Sequence, residues 1–112
     1  NLGCDTHESV DYPDHAHAVA EDVVGEHAAL GILICGSANG VAMTANKHND
    51  VRACIAWTPE IASLGRQHNN ANVLVLGKRM ISIWEARNII KKFLTTDFEA
   101  GRHSKRIAKF NQ

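Results

Sequence analysis

Hydrophobic positions along the chain follow two alternating rhythms. Ala16, Val19, Ala20, Val23 and Val24 recur at the steps of a helix face, and Asp14 is placed to cap its start. After Gly25 the spacing changes: Leu30, Gly31, Ile32, Leu33 and Ile34 form a short, continuous apolar run that ends at Cys35. Such a run suits a strand covered on both faces, as in a parallel sheet. Gly36 to Gly40 then form a small-residue turn, and a helix is predicted from Val41 to about Lys47.

The strand, turn and helix unit repeats. Ala53 to Trp57 predicts a second strand, and Thr58 and Pro59 suit the cap and first position of a helix whose buried side is marked by Ile61 and Leu64. Val73 to Leu76 predicts a third strand. Ser82 and Glu85 have capping-box spacing, and Ile83, Ala86, Ile90, Phe93 and Leu94 give the next helix its apolar face. A last helix is predicted from about Phe98 to Phe110. This alternation predicts a Rossmann-like, doubly wound α/β domain, an α/β/α sandwich around a mostly parallel sheet, with residues 1–112 as one domain. Only three strands are visible, fewer than such a sheet usually has, so one βαβ unit of about 30 residues is expected before Asn1.

With 45% apolar and 21% charged residues, the composition is that of an ordinary globular domain. Twelve Lys and Arg balance twelve Asp and Glu, so no overall field favours nucleic acid or an anionic membrane, and any bound anion must be met locally. No stretch approaches the roughly 20 apolar residues of a membrane helix, nor does a basic start precede an apolar run; a cytoplasmic location is the default expectation. Cys4, Cys35 and Cys54 lack C-x-x-C spacing, which speaks against a disulfide framework or a zinc knuckle and for reduced thiols.

Ligands of open α/β sheets bind at the carboxyl ends of the strands, where Cys35 stands. Backbone N–H groups across Gly36, Ser37, Ala38, Asn39 and Gly40 would favour an anion and lower a nearby thiol's pKa, making Cys35 a candidate thiolate base. A small residue at a strand end serves packing equally well. The turn is neither a G-x-G-x-x-G fingerprint nor a phosphate-binding P-loop, so dinucleotide and nucleoside triphosphate binding have no support. Arg102 and Arg106, four residues apart, can share one helix face toward a phosphate, although Lys105 and Lys109 nearby also fit a solvated basic face. His68, in Arg66-Gln67-His68-Asn69-Asn70 before a strand, is either an acid-base group or a histidine favoured by the helix dipole. His15 and His17 are two apart and do not share a face, so no metal site is expected there. Cys4 and Cys54 read as packing residues, Trp57 and Trp84 as core or interface aromatics.

Five collinear segments carry a family resemblance: Glu8-Ser9-Val10-Asp11-Tyr12-Pro13, then Gly31 to Gly40, Ala45-Asn46-Lys47, Arg66-Gln67-His68-Asn69, and Phe98-Glu99-Ala100-Gly101-Arg102-His103. Their order and spacing resemble ribose-5-phosphate isomerase B and its galactose-6-phosphate relatives across nearly the whole chain. The resemblance implies a cofactor-free, metal-free aldose-ketose isomerase working through an enediolate. It implies that Cys35 is the base moving a proton between C1 and C2, that Gly36 to Gly40 hold the enediolate, and that Ser37 adds a hydroxyl. It further implies that His68 opens the cyclic sugar with Asn69 beside it, that Arg79, Arg102 and Arg106 meet the phosphate, and that Tyr12 lies in a substrate-facing loop. Some relatives carry a glutamate base just after the turn, where this chain has Val41, which favours Cys35.

The family's first strand and its Asp-His motif would precede Asn1, and Trp57 stands where relatives often carry a smaller or polar residue. The resemblance also implies a homodimer, or a dimer of dimers, with the histidine segment meeting the cysteine turn of the neighbour. Three alternatives stay open: a galactose-6-phosphate isomerase subunit, a non-catalytic sugar-phosphate-binding subunit that keeps the fold, and, on fold alone, a flavodoxin-like electron carrier.

Overall fold

The structure is a computed structural model and describes residues 1–4 and 10–111. Glu8 and Ser9, which open the first motif, lie outside the described residues. Helices and strands alternate in the order α1 (Tyr12–Val24), β1 (Gly31–Cys35), α2 (Asn39–Ala45), β2 (Ala53–Ile55), α3 (Pro59–Asn69), β3 (Val73–Gly77), α4 (Ile83–Thr95) and α5 (Arg102–Ile107). The strands pair in parallel in the order β1-β3-β2. Gly31 lies opposite Val73 and Cys35 opposite Gly77, while Ala53 pairs with Val73 from the other side.

Central β3 is buried along its whole length, and its two-residue period divides the core. Val73 and Val75 join the cluster beneath α1 and α2; Leu74 and Leu76 join the one beneath α3 and α4. Helices therefore cover both faces of β3, as its continuous apolar run requires, whereas β1, expected to be covered on both faces, leaves Ile34 60% exposed on one of them. The close seat of α1 on β1 depends on Gly31, where a β-carbon would stand 2.6 Å from Val19 Cγ1.

Several boundaries and faces differ from the sequence expectation, each for a physical reason. Helix α1 starts at Tyr12 with Asp11 as its cap and Pro13 in the first turn, so Asp14 is a first-turn acid rather than the cap. Strand β2 stops at Ile55, leaving Trp57 in the turn that follows. Thr58 caps α3 as predicted, its hydroxyl accepting from Ile61 N, but Ile61 and Leu64 are exposed. The buried face of α3 is instead made of Ala62, Ser63 and Gly65, small residues that let it approach the sheet; a β-carbon on Gly65 would lie 2.8 Å from Cys54 Sγ.

The capping box of Ser82 and Glu85 opens α4, but Ile83 and Leu94 face outward and the inward stripe centres on Ile89 and Phe93. The last helix is short because Ala100 and Gly101 take left-handed φ values of 56° and 57°, which no helix can run through. Trp84 is largely exposed beneath the Arg87 guanidinium, while Cys54 is packed between strand and helix, where burial pushes its thiol up to about 11. Cys4 is exposed, which corrects its reading as a packing residue. No helix among the described residues is long and apolar enough to cross a membrane.

Candidate active site

At the carboxyl end of the sheet, β1 delivers Cys35, half-buried, to the start of the small-residue turn. Two backbone hydrogen bonds hold this turn against the end of β3: Lys78 N donates to Cys35 O at 2.9 Å and Arg79 N to Gly36 O at 3.3 Å. Ala38 takes a left-handed conformation, φ 76° and ψ −22°, that ends the strand direction and starts α2. Such a bend turns successive backbone N–H groups toward one concavity, the arrangement that receives anionic oxygen.

Side chains from three other segments close on the turn through its glycines. A β-carbon on Gly36 would stand 3.0 Å from Arg79 Nε, and one on Gly40 would meet the Tyr12 ring at 2.5 Å. Trp57 lies against Gly77, where a β-carbon would be 2.8 Å from its ring, beside Gly36 O. Tyr12, Cys35, Gly36, Ser37, Ala38, Asn39, Gly40 and Arg79 thus belong to one end of the sheet. A cavity of about 500 Å³ adjoins it, lined in part by Tyr12, Cys35 and Val41 along the outer edge of β1.

The remaining predicted residues gather at the opposite end. Helix α3 runs back from the carboxyl to the amino end of the strands, so His68 and Asn69 fall in its last turn, next to the entry into β3. Arg52, at the start of β2, fixes that end by donating to Asn70 O. Beyond α4, Glu99 N donates to Gln67 O, and the left-handed pair Ala100-Gly101 folds α5 back beside α3. Arg102 and Arg106 lie exposed on α5, so Arg79 and these two arginines do not meet within one chain. The length of β3 alone parts the two clusters by about 13 Å.

The amino-end cluster includes two groups that the sequence reading did not single out. The His103 ring stacks on His68 with centroids 4.4 Å apart and planes 19° apart. Glu99 Oε1 lies 3.9 Å from Nε2 of both rings. His103 is buried and His68 half-exposed. Burial, then the neighbouring His68 and the Arg102 charge, hold His103 below the ordinary histidine value, against the pull of Glu99. The spacing of these ligand atoms, all within 4.8 Å, suggests a metal site. Near-parallel stacking argues otherwise, because an ion about 2 Å from each nitrogen cannot lie in both ring planes. The paired spacing of Glu99 and His103 was visible in the sequence, but only the fold shows that both face His68.

The parallel sheet with a thiol at a strand's carboxyl end places the chain among α/β domains that work at that edge. It belongs to the ribose/galactose isomerase family, whose model matches residues 1–110. Ribose-5-phosphate isomerase B of Escherichia coli is 41% identical over 100 residues, covering 89% of this chain and 67% of that protein. The crystal structure of a ribose 5-phosphate isomerase from Thermotoga maritima superposes with a TM-score of 0.95 at 44% identity, covering 96% of this chain and 74% of that one. Ribose-5-phosphate isomerase B of Mycoplasma genitalium, solved with bound ribulose-5-phosphate, gives 0.92 at 44% identity, with 96% and 72% covered.

Proposed function

We propose that this chain is a cytoplasmic aldose-ketose isomerase that interconverts ribose 5-phosphate and ribulose 5-phosphate, with its catalytic site assembled from two copies. The observation carrying the reading is the strand-end thiol of Cys35 set in the Tyr12, Arg79 and Trp57 surround, in a chain 44% identical to a relative solved with bound ribulose-5-phosphate.

In this reading His68 gives a proton to the ring oxygen as the anomeric O1 hydroxyl loses its own to solvent, and the sugar opens to the C1 aldehyde. The Cys35 thiolate takes the C2 proton, the electrons pass to the carbonyl oxygen at C1, and the enediolate forms. The O2 proton passes to O1 and the Cys35 thiol returns its proton to C1, which completes the ketose and regenerates the thiolate. The difficulty of the step is the charge that builds on oxygen, and the N–H groups from Gly36 to Gly40 with the Ser37 hydroxyl oppose it, each well-placed donor contributing about 3 kcal/mol. A positioned acid-base group adds roughly 10² to 10⁴ in rate. Asn69 contacts the sugar, and Arg79, Arg102 and Arg106 hold the phosphate so that C1 and C2 stay aligned with the thiol.

Cys35 and His68 occupy opposite ends of one chain, and a two-fold pairing brings the amino end of each copy to the carboxyl end of the other. That is the support for a homodimer with two composite sites. The test is to follow ketose formation from ribose 5-phosphate with excess EDTA present, using Cys35→Ala as the paired control. Turnover lost in the variant supports the reading. Turnover only of a six-carbon aldose phosphate moves the substrate to the galactose branch, and binding without turnover favours a non-catalytic subunit.

A further inference from the structure

Resting on the isomerase reading for the role of His68, we propose that His103 and Glu99 are positioning residues for that imidazole: the stacked ring fixes its plane, and the shared carboxylate keeps one proton on the pair. His103 is buried, at 8% exposure, and its ring is stacked on that of His68. Two stacked imidazoles cannot both carry charge cheaply, and the buried one is the worse place for it. The half-exposed ring of His68 is the one able to reach a sugar.

The backbone that carries the carboxylate is fixed independently of either histidine. Glu99 N donates to Gln67 O, and the left-handed residues 100 and 101 turn its loop so that Oε1 sits 3.9 Å from both Nε2 atoms. Among the described residues, the charged side chains other than His68 that act on His103 come from the loop before α5 and from α5 itself. Glu99 lies in the loop, and Arg102 and Arg106 on α5 oppose a second proton. From α3, the Arg66 guanidinium is engaged with Thr96 O, Asn70 Oδ1 and Ala71 O and over the Phe93 ring on α4.

The experiment combines kinetics and nitrogen-15 NMR of the imidazoles on the full chain, for the wild type, Glu99→Gln, His103→Ala and His103→Phe. In the wild type His103 stays neutral to a lower pH than an ordinary histidine. In Glu99→Gln the pH above which kcat/KM for ribose 5-phosphate declines moves down by about 0.5 to 1 unit, the effect of removing one charge at this distance. His103→Ala lowers kcat about 10- to 100-fold with KM little changed, and His103→Phe restores most of it because the stacked ring is kept. Simultaneous protonation of both rings, an unmoved profile in Glu99→Gln, or equal losses in the Phe and Ala variants overturns the proposal. If the wild type turns over no sugar phosphate, the isomerase reading fails, while the protonation of His103 and its change in Glu99→Gln still decide whether the pair shares one proton.

Discussion

The Tyr12 ring lies over Gly40 so closely that a β-carbon on the glycine would meet it at 2.5 Å. Tyr12 belongs to the first turn of α1 and Gly40 to the first turn of α2, so this contact joins two helix starts above the Cys35 turn. Because the ring end of a half-exposed tyrosine can swing away, Gly40→Ala is expected to displace Tyr12 rather than unfold the chain. KM for ribose 5-phosphate rises about 2- to 10-fold, the value of one lost hydrogen bond. In a Tyr12→Ala background the same change has little further effect. Steady-state kinetics with thermal melts of the four variants checks both statements.

Cys54 makes stability fall in alkali. Its thiol ionises at about 11 in the folded chain against an ordinary 9.0, since burial disfavours the thiolate. The unfolded chain therefore loses this proton first. Stability from the group is complete below pH 9 and disappears as pH rises toward 11, by about 3 kcal/mol. Denaturant melts between these limits should show the decline, and Cys54→Ala, although less stable at neutral pH, should show a shallower one.

Gly101 holds φ 57° with ψ −131°, a conformation in which a side chain is strained although nothing else crowds it. Gly101→Ala is expected to cost about 1–3 kcal/mol and to lower turnover by displacing α5 with His103 and the arginines. Ala100→Gly, which relaxes the neighbouring left-handed residue, should leave activity intact. Melting temperature and kcat/KM of the two variants provide the comparison.

Cys35→Ala and His68→Ala damage opposite ends of the chain. In a two-fold dimer that exchanges these ends, each variant alone should lose most of its turnover. Mixed after dissociation and re-association, they should recover about one quarter of wild-type activity, because half the dimers are mixed and each mixed dimer keeps one undamaged site. Absence of recovery, with mixed dimers demonstrated by tag co-purification, rejects the composite site.

The layers of the fold were legible because β3 is apolar on both faces, the pattern of a strand covered on both sides, although β1 has the same pattern and leaves Ile34 exposed. Caps were legible at Thr58 and Ser82, where local hydrogen bonding decides the outcome. The inward side of α4 was legible at Ala86, Ile90 and Phe93, but which side of α3 turns inward was not: it is set by how near Gly65 and Ala62 can come to the sheet, and that is a tertiary quantity. The same holds for the site. Cys35 and its turn are contiguous in the chain, whereas the stack of His103 on His68 depends on a reversal at Ala100 and Gly101 that the helical pattern from 98 to 110 concealed.

The separation of the cysteine and histidine ends has a consequence for how such a catalyst is regulated by mass action. In the proposed dimer a lone copy would hold two halves of different sites and complete neither, so specific activity would become a function of the protein's own concentration. Dilution would extinguish both sites together, and a sugar phosphate bridging two copies would resist that dissociation in proportion to its occupancy.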